Sequence, residues 1–146
     1  MLRRVFAAVF FFAVAGCSHR DEDAKKVVAD LSALDDEVTA AVKASPNAAG
    51  LGKAEALVAA KAAAIRARVS SLKAADANDA ATQSVASACL TKNDAAAANA
   101  RDYVNNAVLK TDDALRARAK KLSASLCEIC EPVALANACA KYRGGD

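Results

Sequence analysis

Glycine and proline are nearly missing from the body of this chain, and that scarcity limits its fold more than any other feature. Of its five glycines and two prolines, Gly16 lies in an apolar leader and Gly144 and Gly145 at the carboxyl end. The interior keeps Pro46, Gly50 and Gly52, all inside "SPNAAGLG" (45–52), and Pro132. The intervening sequence is dominated by Ala, Lys, Arg, Leu and Glu, which are good helix formers. Long helices joined by few turns are the expected result, so the fold class is all-α.

Apolar spacing places the helices. Val27, Leu31, Leu34, Val38 and Ala41 recur at four-three intervals and predict one apolar stripe on a helix over about 21–44. The acids Asp21, Glu22 and Asp23 would sit at its amino end, where the positive end of the helix dipole favours them. Leu51, Ala54, Val58, Ala62, Ile65, Val69 and Leu72 form the same pattern and predict a second helix over about 51–74. The Pro/Gly stretch between them makes the pair an antiparallel hairpin.

"AADANDAA" (74–81) is the next break, followed by helices expected at 79–109 and 112–131 and a short one at 133–142. Val85, Cys89, Ala96, Ala100, Tyr103 and Ala107 hold one phase. Val104, Val108, Leu115, Ala119, Leu122, Leu126 and Ile129 hold another. Periodicity alone leaves the turn between them at "TKND" (91–94) or "KTDD" (110–113). Thr111, Asp112 and Asp113 form a good amino-terminal cap signature.

The leader says where such a chain goes. Arg3 and Arg4 precede an apolar run, Val5–Gly16, that is dense in Phe and closes on small residues. At twelve residues it is well short of the roughly 20 needed to cross a bilayer core as a helix. Residues 1–16 therefore read as a targeting segment, and 17–146 as a single mature domain.

The ending Val14-Ala15-Gly16-Cys17 resembles the lipobox of bacterial lipoproteins. The resemblance implies a diacylglycerol on the Cys17 thiol, cleavage of the bond before Cys17, and an acyl chain such as palmitate on the new amino terminus. Two or more chains hold a protein stably on a membrane, where one binds only marginally. The resemblance further implies, with Ser18 following the lipidated Cys, sorting to the outer membrane. Membrane lipid and an envelope protein are the partners expected.

Four cysteines remain beyond Cys17: Cys89, Cys127, Cys130 and Cys139. An even number in an exported chain predicts two disulfides among three possible connectivities. A Cys89–Cys130 bond between antiparallel helices would put their turn near 109–110, beside "KTDD". Pro132 cannot comfortably continue a helix, so a segment folding back after it would bring Cys139 to Cys127. Cys89–Cys130 with Cys127–Cys139 is the favoured pairing. Cys89–Cys127 with Cys130–Cys139 stays open.

Composition narrows the chemistry. All four Phe and the one Met lie in the leader, and there is no Trp. The mature chain keeps only Tyr103 and Tyr142 as aromatics and His19 as histidine. Stacking platforms for sugars, single-stranded nucleic acid or flat cofactors need aromatic faces, and haem and most zinc sites draw on His or Met. No cofactor, metal or nucleic-acid partner is expected. Formal charge falls from +3 to +1 once Arg3 and Arg4 leave. Acids crowd 21–37, while Lys53, Lys61, Arg66, Arg68 and Lys73 face only Glu55 over 53–73. Neighbouring helices with complementary faces account for this. "RARAKK" (116–121) reads the same way, with anionic lipid or lipopolysaccharide as the alternative partner.

The one stretch with catalytic spacing is "LCEICEP" (126–132), since Cys-x-x-Cys is used by thiol–disulfide oxidoreductases. Those enzymes place the reactive Cys at a helix amino end. Here Cys127 and Cys130 fall in a helix's last turn beside Glu128 and Glu131, which disfavours thiolate. The paired acids Asp35-Asp36 and Asp112-Asp113 point to different faces and are expected in solvated positions. No Gly-rich phosphate loop is present.

The reading that follows is a non-catalytic, lipid-anchored helical bundle of the cell envelope, facing the periplasm and binding a protein partner. Two others accompany it. Cys17-Ser18, the Ala-rich heptads and "AKYR" (140–143) resemble murein lipoproteins, which implies an envelope spacer or oligomeric coiled coil. The Pro/Gly turn and the terminal Gly144-Gly145-Asp146 depart from that pattern. The third is a thiol–disulfide oxidoreductase using Cys127 and Cys130.

Overall fold

A computed structural model describes residues 13–73, 79–104, 111–133, 139 and 142. They form α1 (Ala13–Ala44), α2 (Ala48–Lys73), α3 (Ala80–Ala88), a π-helical turn (Cys89–Asn93), α4 (Asp94–Val104) and α5 (Asp113–Cys130). α3, the π turn and α4 run on as one rod, so the architecture is a four-rod bundle. There is no strand among the described residues. None of these helices is long and apolar enough to cross a membrane. The leader's first twelve residues lie outside the description, as does most of the segment expected to be helical over 133–142.

Two antiparallel hairpins lie side by side. In the first, Lys61 pairs with Glu37 at 2.6 Å and Arg68 with Asp30 at 2.6 Å, so α2 descends as α1 rises. In the second, Cys89 meets Cys130 and Ser123 Oγ donates to the Ala97 carbonyl. Across the hairpins the order is parallel. Arg20 reaches Asp79 and Asp35 reaches Asn93 between α1 and the rod starting with α3. Glu55 reaches Arg118, and Arg66 reaches Glu131 between α2 and the α5 end.

The core is aliphatic. Val27, Leu31, Leu34, Val38 and Val42 of α1 meet Leu51, Ala54, Val58, Ile65, Val69 and Leu72 of α2, all buried. Val85, Ala96, Ala97 and Ala100 face Ala119, Leu122, Leu126 and Ile129. Ala at so many contacts leaves little side chain to separate the backbones, and the burial of each Ala contributes far less than that of a Leu or Val.

Local signals set the ends. Asn47 Oδ1 accepts from the amides of Ala49 and Gly50, which starts α2 three residues before the expected Leu51. Asp79 caps α3 through the Thr82 amide, and Asp112 caps α5 through the Leu115 amide. α1 begins well upstream of the expected Asp21, because "AVAG" offers neither a cap nor a Pro to stop it. Of the two candidate turns, "TKND" holds the π turn and the chain continues in the same direction. The reversal falls between Val104 and Asp113, with 105–110 outside the description.

Gly50 is required by the first turn. A Cβ there would run into the Ser45 carbonyl and come within 2.9 Å of the Ala41 carbonyl oxygen. At Gly52 the nearest atom to a Cβ is Arg118 Nη2 at 3.7 Å, an ordinary contact. Urea unfolding should therefore show Gly50→Ala destabilising the bundle by about 1–3 kcal/mol. Gly52→Ala should stabilise it by about 0.5–1 kcal/mol, because alanine removes the entropy penalty of a mid-helix glycine.

Candidate functional site

Three places in the bundle carry chemistry: the amino end of α1, the disulfides, and a buried acid. At the first, Cys17 lies within α1, three residues before Arg20. Arg20 is where the helix locks into the bundle. Its Nη2 donates to the Leu72 carbonyl at 2.8 Å, near the end of α2, and to Asp79 Oδ2 at 2.9 Å, on the cap of α3. The Thr82 amide and the Arg20 guanidinium hold the Asp79 carboxyl below its ordinary range. Ala24 is already 2% exposed and Val27 1%. Arg20 thus ties the start of α1 to the end of α2 and the cap of α3, and only His19 and Ser18 separate it from Cys17.

The four remaining cysteines form two disulfides, Cys89–Cys130 and Cys127–Cys139. Their Cα separations of 5.8 and 5.7 Å lie in the normal range. Cys127 and Cys130 are thus adjacent on α5 yet bonded to different partners, and all four sulfurs' residues are buried. Cys89 is drawn to α5 from the π turn, whose signature bond runs from the Asp94 amide to the Cys89 carbonyl. Cys139 brings back the chain beyond Pro132. There Tyr142 packs into the core and its Oη donates to Asp94 Oδ1 at 2.6 Å.

The buried acid is Asp35, which corrects the expectation that Asp35 and Asp36 are both solvated. Asp36 is the neighbour on the other face, but Asp35 is only 3% exposed. It follows Leu34 on the buried side of α1 because the stripe there is two residues wide. Its Oδ1 accepts from Asn93 Nδ2 at 3.3 Å, and its Oδ2 is enclosed with no hydrogen-bond partner among the described residues. Desolvation raises its pKa to about 7 and Asp36 adds to the rise, while the Asn93 bond and Lys92 oppose it. Asn93, 1% exposed, ends the π turn. π turns recur at functional positions in helices. Asp112 and Asp113 occupy the cap and first turn of α5 in the solvated setting expected of them.

Among the described residues, five ion pairs join different elements of the bundle. Arg118 grips Glu55 through Nε and Nη2 at 3.0 and 2.7 Å, which lowers the Glu55 pKa and raises that of Arg118. Arg116 pairs with Asp113. Two of the basic residues of "RARAKK" are therefore engaged within the bundle. The described residues line crevices. One of about 210 Å³ lies between Val38, Val42, Ala96 and Ala100, and another of about 390 Å³ lies beside the Glu55–Arg118 pair. The side chain of Tyr103 lies outside the description.

Comparison with known proteins gives no match to any family model, curated protein or solved structure.

The disulfides enclose 41 and 12 positions. On loop-closure entropy, removing the first by paired Cys→Ser changes at 89 and 130 lowers stability by about 4 kcal/mol. Removing the second at 127 and 139 lowers it by about 3 kcal/mol. Denaturant titration of the two double variants should show the larger loss at the 89–130 pair.

Proposed function

We propose that this protein is a lipid-anchored, non-catalytic helical bundle of the bacterial cell envelope, held by acyl chains on Cys17 and binding another envelope protein through its helix faces. The observation that carries the reading is the succession of leader elements in the sequence: Arg3 and Arg4, the short apolar run, then Val14-Ala15-Gly16-Cys17. Ser18 after the lipidated residue favours the outer membrane, with the bundle in the periplasm.

Two structural features fit an anchored form. Cleavage before Cys17 would leave the lipidated residue in the first turn of a helix that is already locked at Arg20. At 1.5 Å per residue that separation is about 4.5 Å, less than the depth of a headgroup layer, roughly 5–8 Å on each side of a bilayer. The end of the bundle formed by Arg20, Leu72 and Asp79 would then rest on the membrane surface. Cleavage would also bring Asp21, Glu22 and Asp23 into the first two turns, where the helix dipole favours acids.

The two disulfides fit a structural role for the sulfur chemistry. A dithiol oxidoreductase cycles its two Cys-x-x-Cys sulfurs between thiols and a mutual disulfide, whereas Cys127 and Cys130 are each committed to a different partner.

The test is metabolic labelling with palmitate followed by fractionation of the full-length protein in a bacterial host. Wild type should take the label and pellet with membranes, and Cys17→Ala should lose both, the pelleted share falling on the order of tenfold. An unlabelled wild type, or a Cys17→Ala protein that still pellets, would exclude the lipid anchor.

A further inference from the structure

The two halves of the bundle are joined in different ways. Cys89–Cys130 and Cys127–Cys139 tie the π turn, α5 and the segment at Cys139 into one sulfur-linked block. Neither bond reaches the α1–α2 hairpin. That hairpin meets the block through packing, a buried hydrogen bond from Thr82 Oγ1 to the Leu72 carbonyl at 3.2 Å, and four side-chain pairs: Arg20–Asp79, Arg118–Glu55, Arg66–Glu131 and Asp35–Asn93. The first three are ion pairs at the rim, with side chains about a third to a half exposed. Asp35–Asn93 alone among them lies inside the core.

We propose that this seam is a proton-gated joint, closed while Asp35 is a neutral carboxylic acid and loosened when Asp35 gives up its proton. The geometry gives a carboxylate no way to be satisfied there. Oδ1 has one neutral donor, Asn93 Nδ2, and the enclosed Oδ2 has none among the described residues. Leu31, Leu34 and Val38, which flank it on α1, are themselves buried. An unpaired charge in such a place is strongly unfavourable, and the group either keeps its proton or moves to water.

The charges around it do not supply a counter-ion. Asp36 on α1 is a like charge, and Lys92 on the π turn acts at a distance without contact. α3 has no titratable side chain. Lys61 and Arg68 on α2 are paired with Glu37 and Asp30, and Asp94 on α4 is held by Tyr142. On α5, Arg116 and Arg118 are paired with Asp113 and Glu55, Lys121 acts on Glu55, and Lys120 and Glu128 have interactions of their own. On α4, Asp102 likewise has its own interaction.

The direction of the effect follows. With the seam open, Asp35 is solvated and titrates near 4, the ordinary aspartate range. With it closed, burial holds the proton up to about pH 7. The closed state thus binds the proton more tightly. Its advantage is complete below about pH 4, declines as pH rises towards 7, and stays low above that. Because Cys89 anchors the π turn to α5, loosening the contact at Asn93 leaves the block intact and frees α1.

Hydrogen exchange of the full, disulfide-intact protein at pH 5.5 and 8.5, normalised to intrinsic rates, tests this. Protection over 27–42 and 81–97 should fall on the order of tenfold or more at the higher pH. Asp35→Asn, which cannot ionise, should show the same protection at both. Equal protection in wild type, or the same loss in Asp35→Asn, would refute the joint. If that variant fails to fold, the carboxyl carbon of Asp35 followed by NMR in wild type decides. A midpoint between pH 6 and 8 that moves with the Asn93 side-chain amide supports the gate, and one below pH 5 rules it out.

Discussion

Cys89 and Cys130 join the middle of one rod to the last residue of the next, and the rest of the bundle is organised around that link. Without it the second hairpin would depend on Val85, a few alanines and the Leu122–Leu126–Ile129 stripe. Such a contact area is small, because an alanine contributes only its single methyl group. The link shortens the unfolded chain's range of states over a 41-residue span, and the Cys127–Cys139 bond does the same for the segment after Pro132. Close Ala-to-Ala packing and covalent staples are thus complementary. The first allows a slim bundle, and the second makes it stable.

Much of this was readable from residue spacing. The stripes of α1 and α2 needed only their four-three rhythm, and each side chain assigned to them is buried or half-buried. Four cysteines and one proline were enough to favour a connectivity, because an antiparallel pair places bonded residues symmetrically about its turn. Asp112 announced itself as a cap. The charge segregation was legible too, since Lys61–Glu37 and Arg68–Asp30 join the basic α2 to the acidic α1.

What escaped the sequence depends on distant partners. Asp35 looks like its neighbour Asp36, and only the approach of Asn93 from 58 positions away distinguishes it. No local signal marks the π turn, because an inserted residue inside a helix needs neither Gly nor Pro. "TKND" was one of two candidate turns because Thr, Asn and Asp also favour turns. Across the π turn Cys89 and Asn93 are both buried, and Leu90 is the one large apolar residue exposed among those described. Arg20 belongs to the same class. Its bonds to Leu72 and Asp79 span 52 and 59 positions and join three helix ends.

A polar pair in an otherwise aliphatic seam is less stabilising than a well-packed apolar one of the same volume. It does, however, specify one alignment. Sliding α1 by a turn along the neighbouring rod would leave Asn93 as well as Asp35 without a partner, a penalty that aliphatic side chains do not impose. The division between a stapled and an unstapled half gives this alignment a mechanical meaning. Cys17 belongs to α1, on the unstapled half, so in the lipid-anchored form the membrane would hold the hairpin, and the sulfur-linked block would be held to it by the seam and by the chain that joins α2 to α3. A force or ligand acting on that block would reach the anchor through the chain joining α2 to α3, the core packing, the Thr82–Leu72 bond, Arg20, the rim ion pairs and the Asp35–Asn93 contact. A joint placed there lies between membrane and block, where neither disulfide crosses.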